Sequence, residues 1–319
     1  MKKLFPIYLL LISLIPTFAS AHVKWFATTG GYVRSYSITD TPVLIWIIGV
    51  LLIIAIGIYL EKKLNLPKSC SEKFAKWRSV VLSLVSIGFG LAFLIFSYQG
   101  FIFSPNLPAE GIMGTILLGL QAVAGILILF GLYERLGALI LLILFGLGMK
   151  EFGAYEMMDA LEMIGFAIYV LIVGRPRFCI IDIDSHEKFF ERFHSYGVPI
   201  LRIGTGLNLI VLGFTEKIFA PSLTQNFLTV YQWNFMQIIG FEWFNNYWFA
   251  FSAGMGEIIF GLFFLFGLVT RLTTAALAIF LISTLILLGP LELVGHLPHF
   301  SIAIVLIILG SGTKFKLLK

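Results

Sequence analysis

The sequence predicts an all-α integral membrane fold, and three observations carry that prediction. Only 12% of the 319 residues are charged while 59% are hydrophobic, against about 25% charged in an ordinary soluble domain. After the first 21 residues, apolar runs recur nine times, most of them near the ~20 residues that a helix needs to cross a hydrocarbon core. Basic residues gather in alternate connections between those runs, as cytoplasmic loops do under the positive-inside rule. The net charge of +5 therefore reports topology and is not a sign of nucleic-acid binding.

The chain opens with MKKLFPIYLLLISLIPTFASA. Lys2 and Lys3, an apolar core and Ala19-Ser20-Ala21 make a signal peptide over 1–21, the alternative being an uncleaved anchor helix. Cleavage would leave His22 as the mature amino terminus of an exported segment, 22–41. A first span follows at 42–60, then a basic loop over 61–78 with six Lys and Arg. Spans are expected at 79–98, 111–132, 136–149 and 157–173, then a second basic loop over 175–198. Four more are expected at 199–215, 247–269, 272–288 and 298–310, before a basic tail. With His22 outside, alternation places both basic loops, Arg135, Arg271 and the tail inside. The expected location is a bacterial cytoplasmic membrane, with the bilayer itself as the principal partner. Cys70 and Cys179 both fall inside, so no structural disulfide is expected.

The chain repeats itself. GILILFGLYERLGALIL begins at Gly125 and GLFFLFGLVTRLTTAAL at Gly261, an offset of 136. Without a gap this pairs Arg135 with Arg271, Gly153 with Gly289, Glu156 with Glu292 and Gly174 with Gly310. Upstream, FSYQGFIFSPNL from Phe96 resembles LGFTEKIFAPSL from Leu212. Two four-helix units are expected, 79–174 and 199–319 with its tail, and 42–60 stands outside them. An even number of spans per unit gives both the same orientation, a parallel repeat.

A four-helix unit with F-G-L-x-x-R-L after an apolar helix, and Glu257 or Gln121 upstream, resembles the DoxX-like (DoxX/DoxD) membrane proteins. The resemblance covers both repeats but not the first span or the leader, and implies a four-helix bundle for each; two fused units in one chain depart from the family's usual single unit. DoxD-type subunits are associated with thiosulfate:quinone oxidoreductase, so it also implies a quinone-linked role beside a partner redox subunit, or in a homo-oligomer.

Several residues could carry chemistry. Glu257 sits within a span, where an ionisable group needs a partner or marks a pathway. It is the candidate catalytic residue, either as a hydrogen-bond donor to a quinone or as glue between helices. Gln121, its repeat mate, and Trp243, in the aromatic outer segment 216–246, complete a candidate cofactor site. That segment is expected to lie along the interface as a lid. Glu162, Glu151, Glu156 and Asp159 suggest an acidic outer patch. In LELVGHLPHF, Glu292, His296 and His299 form a partial ligand set for copper or zinc, with His22 the possible fourth member. Interfacial packing is the competing reading for that stretch. Arg135, Arg271 and Glu156 read as structural anchors, the arginines snorkelling to the interface. His186 and His194 sit among charges and read as solvated. No Walker loop, dinucleotide fingerprint, haem-attachment motif or zincin motif occurs, so electrons would have to come from elsewhere.

Overall fold

The computed structural model describes residues 23–26, 31–63, 77–174, 178, 187–289 and 291–318. The leader 1–21, His22, Cys70, Cys179 and His186 lie outside the described residues. The helices are α1 (Val23–Phe26), α2 (Thr41–Lys63), α3 (Arg78–Gln99), α4 (Gly111–Phe130), α5 (Glu134–Glu151), α6 (Ala154–Met157) and α7 (Leu161–Val173). They continue with α8 (Glu187–Glu191), α9 (Gly197–Leu212), α10 (Pro221–Tyr231), α11 (Phe235–Ile238), α12 (Asn246–Phe266), α13 (Thr270–Leu288), α14 (Leu291–Gly295) and α15 (Leu297–Leu309). Among the described residues no strand forms. Five helical segments are long and apolar enough to cross a membrane, and the chain is an all-α polytopic membrane protein. The remaining expected spans are shorter. The last helix of each unit is broken, so that α6 and α7 are joined by a 3-10 turn at Met158–Ala160, and α14 and α15 meet at His296.

Both breaks fall one unit apart, at Ala160 and His296, and other features recur at the same 136-residue spacing. Gly131 and Gly267 end α4 and α12 in the left-handed region, at φ 62° and 66°. Only glycine takes that conformation at no steric cost. Arg135 Nε donates to the Leu171 carbonyl at 3.1 Å, and Arg271 Nε donates to the Ile307 carbonyl at 2.9 Å. The arginine stem thus closes the exposed carbonyls at the end of the last helix of its own unit. An anchor to the interface alone does not describe them.

Small residues set the helix spacing. A Cβ on Gly90 would lie 2.7 Å from the Leu129 nitrogen, and one on Gly206 3.0 Å from that of Leu265. These are the same crossing, first helix on second, in the two units. Between units, α7 crosses α9 at Gly165 and Gly204, and α3 crosses α15 at Gly88 and Ser301. The first helix of each expected unit therefore packs on the last helix of the other. Helix α2 runs beside α12, with Gly57 under Phe263. Trp46 Nε1 donates to Ser252 Oγ at 2.8 Å, and the Val269 amide donates to Glu61 at 2.7 Å.

The interiors of the two units differ. Phe89 and Phe166 stack at 3.8 Å in the first, and Phe103 and Phe93 meet edge-on at 6.0 Å. Together with Leu117 and Phe145 they fill its centre. The second unit is hollow.

Candidate functional site

The hollow is a cavity of about 200 Å³ bounded by α9, α10, α12, α13 and α15. Its origin can be read by aligning the two units at the 136-residue offset. Where α4 carries Leu117 and Leu120, α12 carries Ala253 and Gly256. Leu117 is fully buried and Leu120 packs on the same core. By contrast, a Cβ placed on Gly256 would meet nothing within 4 Å. Having Ala and Gly in place of two leucines one turn apart opens space that a relaxed backbone fills only in part.

One wall of the cavity is a charged cluster. After α9 the backbone widens into a π-helical segment, Gly213–Ile218, a form common at functional sites. It turns Glu216 and Lys217 inward. Lys217 Nζ lies 2.9 Å from Glu257 and 3.6 Å from Glu216. The approach depends on glycine, since a Cβ on Gly254 would stand 2.9 Å from the Lys217 Cβ. The corresponding place in the first unit holds no charge. There Gln121 Oε1 accepts from the Phe103 amide at 2.7 Å, and its Nε2 donates to the Phe101 carbonyl at 2.9 Å. Gln121 thus ties down a loop of its own unit and lies away from the cavity.

The opposite wall holds two histidine–carboxylate pairs. His296 Nδ1 is 3.2 Å from Glu292, and His299 Nε2 is 3.2 Å from Glu162. The imidazoles meet edge-on at 5.4 Å. Glu162 comes from α7, so the first unit contributes a side chain behind this wall. It is buried and does not join an outer acidic patch. Asp159 is also buried, pairing with Lys24 at 2.5 Å, while Glu156 pairs with Lys24 at 3.2 Å. Burial opposes the Lys24 charge, but Asp159 and Glu156 outweigh it and hold the ammonium above its usual range. A chamber of about 10 Å³ between Asp159, Glu162 and His299 is close to the least volume that admits one water. Burial pushes Glu292 up to about 8 and, with His299 nearby, His296 well down. Burial thus disfavours the charged form of both members of the pair.

The roof comes from the aromatic outer segment, through Thr224, Phe227, Leu228 and Trp233. Trp233 packs on Phe280 of α13 at 5.5 Å. Trp243, the tryptophan expected here, is 70% exposed and leans on Phe241 and Phe244. It does not line the cavity, because the turn after α11 carries it outward.

Glu257, Glu292, His296 and His299 therefore share one cavity beneath the aromatic outer segment. Lys217 and Glu162 complete it and were not singled out as partners. Among the described residues, no group of three His, Cys, Asp or Glu side chains is placed to hold a metal ion.

The DoxX family model matches residues 197–290. The chain carries a DoxX domain. Its match begins at Gly197, the first residue of α9, and ends at residue 290, just ahead of α14. The DoxX domain thus contains the whole Glu216–Lys217–Glu257 wall, while Glu292, His296 and His299 follow its matched end. No curated protein and no solved structure matches the chain.

Proposed function

We propose that this chain is a quinone-linked membrane component of a redox system, with the ring of its ligand held in the cavity of the DoxX domain. The observation that carries this reading is an apolar chamber with polar groups on two facing walls. An apolar cavity of about 150 Å³ takes up benzene, so about 200 Å³ suits one substituted ring. A quinone has a carbonyl at each end of its ring, and would accept two electrons from a partner redox subunit together with two protons.

The chain's own residues have definite tasks in this reading. Lys217, held by Glu257, donates a hydrogen bond at one wall. His299, backed by Glu162, offers a second polar group at the other, and the Glu292–His296 pair can hold a proton without a net charge. The lining of Phe249, Phe260, Leu277 and Leu281 excludes water and strengthens those contacts. The mature amino terminus lies outside and the carboxyl terminus in the cytoplasm of a bacterial-type membrane, a reading that rests on the basic loops.

The metal reading draws on the same histidines. The geometry favours it less, since each imidazole faces its own carboxylate. Titration of the purified protein in nanodiscs with a short-chain benzoquinone tests the proposal. Saturable binding is expected, weakened about ten-fold by Lys217→Met or His299→Gln, the scale of one lost hydrogen bond in a dry site. Trp243→Phe should bind as the wild type does. Absence of saturable binding by the wild type would refute the quinone reading.

A further inference from the structure

The cavity lies between α12 and α13, and those helices stand apart. In the first unit the equivalent pair, α4 and α5, packs along its length, whereas α12 and α13 touch over a short stretch only. The two units differ at neighbouring positions of this crossing, where Gly137 and Ala138 of α5 give way to the buried Thr273 and Thr274 of α13. Gly137 of α5 sits so close to α4 that a Cβ there would lie 2.9 Å from Ile128 and 3.2 Å from the Ala124 carbonyl. At the same repeat position α13 carries Thr273, which is buried. A branched side chain cannot occupy a crossing built for glycine, so α13 is held off. The outward face of α13 is apolar, with Ile279 and Ile286 each at least 70% exposed, as a surface against lipid should be.

The two ends of the chamber are unequal. Trp233 packs on Phe280 over the roof, and the polar groups lie along the walls already described. The flank between α12 and α13 is lined by Gly256, Phe260 and Leu277, with no ionisable group. At Gly256 there is no side chain to block it.

We propose that the cavity is loaded sideways from the bilayer through the gap between α12 and α13, and that its ligand is an amphiphile. A single polar ring sits against Lys217 and His299, and a hydrocarbon chain leaves between Gly256 and Leu277 into the lipid. Thr273 sets the width of the gap. This deepens the quinone reading, and rests on it for the identity of the ring but not for the route.

The route can be tested without a quinone. The protein is placed in nanodiscs containing a phospholipid with a diazirine at the end of one acyl chain, photolysed and mapped by peptide sequencing. Labelling of Phe260 and Leu277, on the cavity side, is expected besides that of Ile279 and Ile286. Thr273→Gly should let α13 close on α12 and reduce the cavity-side labelling five-fold or more, with the lipid-facing labelling unchanged. Labelling confined to the lipid-facing isoleucines of the wild type would overturn the proposal. So would cavity-side labelling that Thr273→Gly leaves untouched. A short-chain benzoquinone should compete with the cavity-side labelling; if it does not, the ring assignment fails while the lateral route stands.

Discussion

Glu257 announces itself in the sequence as a carboxylate within an apolar span, but its partner does not. Lys217 falls in a stretch that reads as the start of an outer loop, and only the π-helical turn brings it to 2.9 Å. Removing one partner of a buried pair costs about 3–5 kcal/mol, because the other charge is stranded. Lys217→Met should therefore lower the thermal midpoint in detergent sharply, and Lys217→Met/Glu257→Leu should recover most of the loss. A double variant as unstable as the single one would contradict the pairing. Glu292 has a distinct signature. Its carboxyl is raised to about 8, so the folded state keeps a proton that the unfolded chain releases near its ordinary value. Stability from this group is present at low pH and falls as pH rises from about 4.5 toward 8. Melting curves between pH 5 and pH 8 should show that decline in the wild type and a flatter profile in Glu292→Gln. Sequence spacing put Trp243 at the site and the fold put Trp233 there, since both belong to one aromatic segment and only its turns decide which ring faces inward.

At the scale of the helices, hydrophobic run length found the five long apolar segments, because burial in lipid demands length and apolarity alone. It missed the break at Ala160, inside the expected span 157–173, and the short helix α14, but it did place the start of the last span at Pro298. It also missed Arg202, a fully buried arginine in α9. Its guanidinium caps the carbonyls of Phe264 and, at 2.6 Å, of Phe315 in the tail. Nothing in the local pattern distinguishes such a cap from a snorkelling cation. Glycine positions, by contrast, report crossings directly once the repeat is aligned. Gly204→Val should force α9 from α7, since a Cβ at this position would stand 3.0 Å from the Gly165 Cα. Overpacking of this kind costs about 1–3 kcal/mol, to be read as a lowered thermal midpoint. Gly256→Ala, facing open space, should leave the midpoint nearly unchanged.

Across the whole molecule, two similarly arranged four-helix sets are put to unequal use. One is filled by Phe89, Phe103, Phe145 and Phe166 and lends Glu162 to its neighbour. The other, which carries the DoxX domain, keeps a chamber whose walls bear the ionisable groups. The offset of 136 was legible from Gly125 and Gly261 because glycine and arginine are fixed by backbone geometry. The hollow was not, because it arises from what Ala253 and Gly256 lack and becomes visible only against Leu117 and Leu120. That contrast supplies the most direct test. The affinity of a short-chain benzoquinone is measured for the wild type and for Ala253→Leu/Gly256→Leu, which restores the residues of the filled unit. The account predicts saturable binding by the wild type and a loss of ten-fold or more in the variant, with its thermal midpoint maintained. Equal affinity in the two proteins would contradict it.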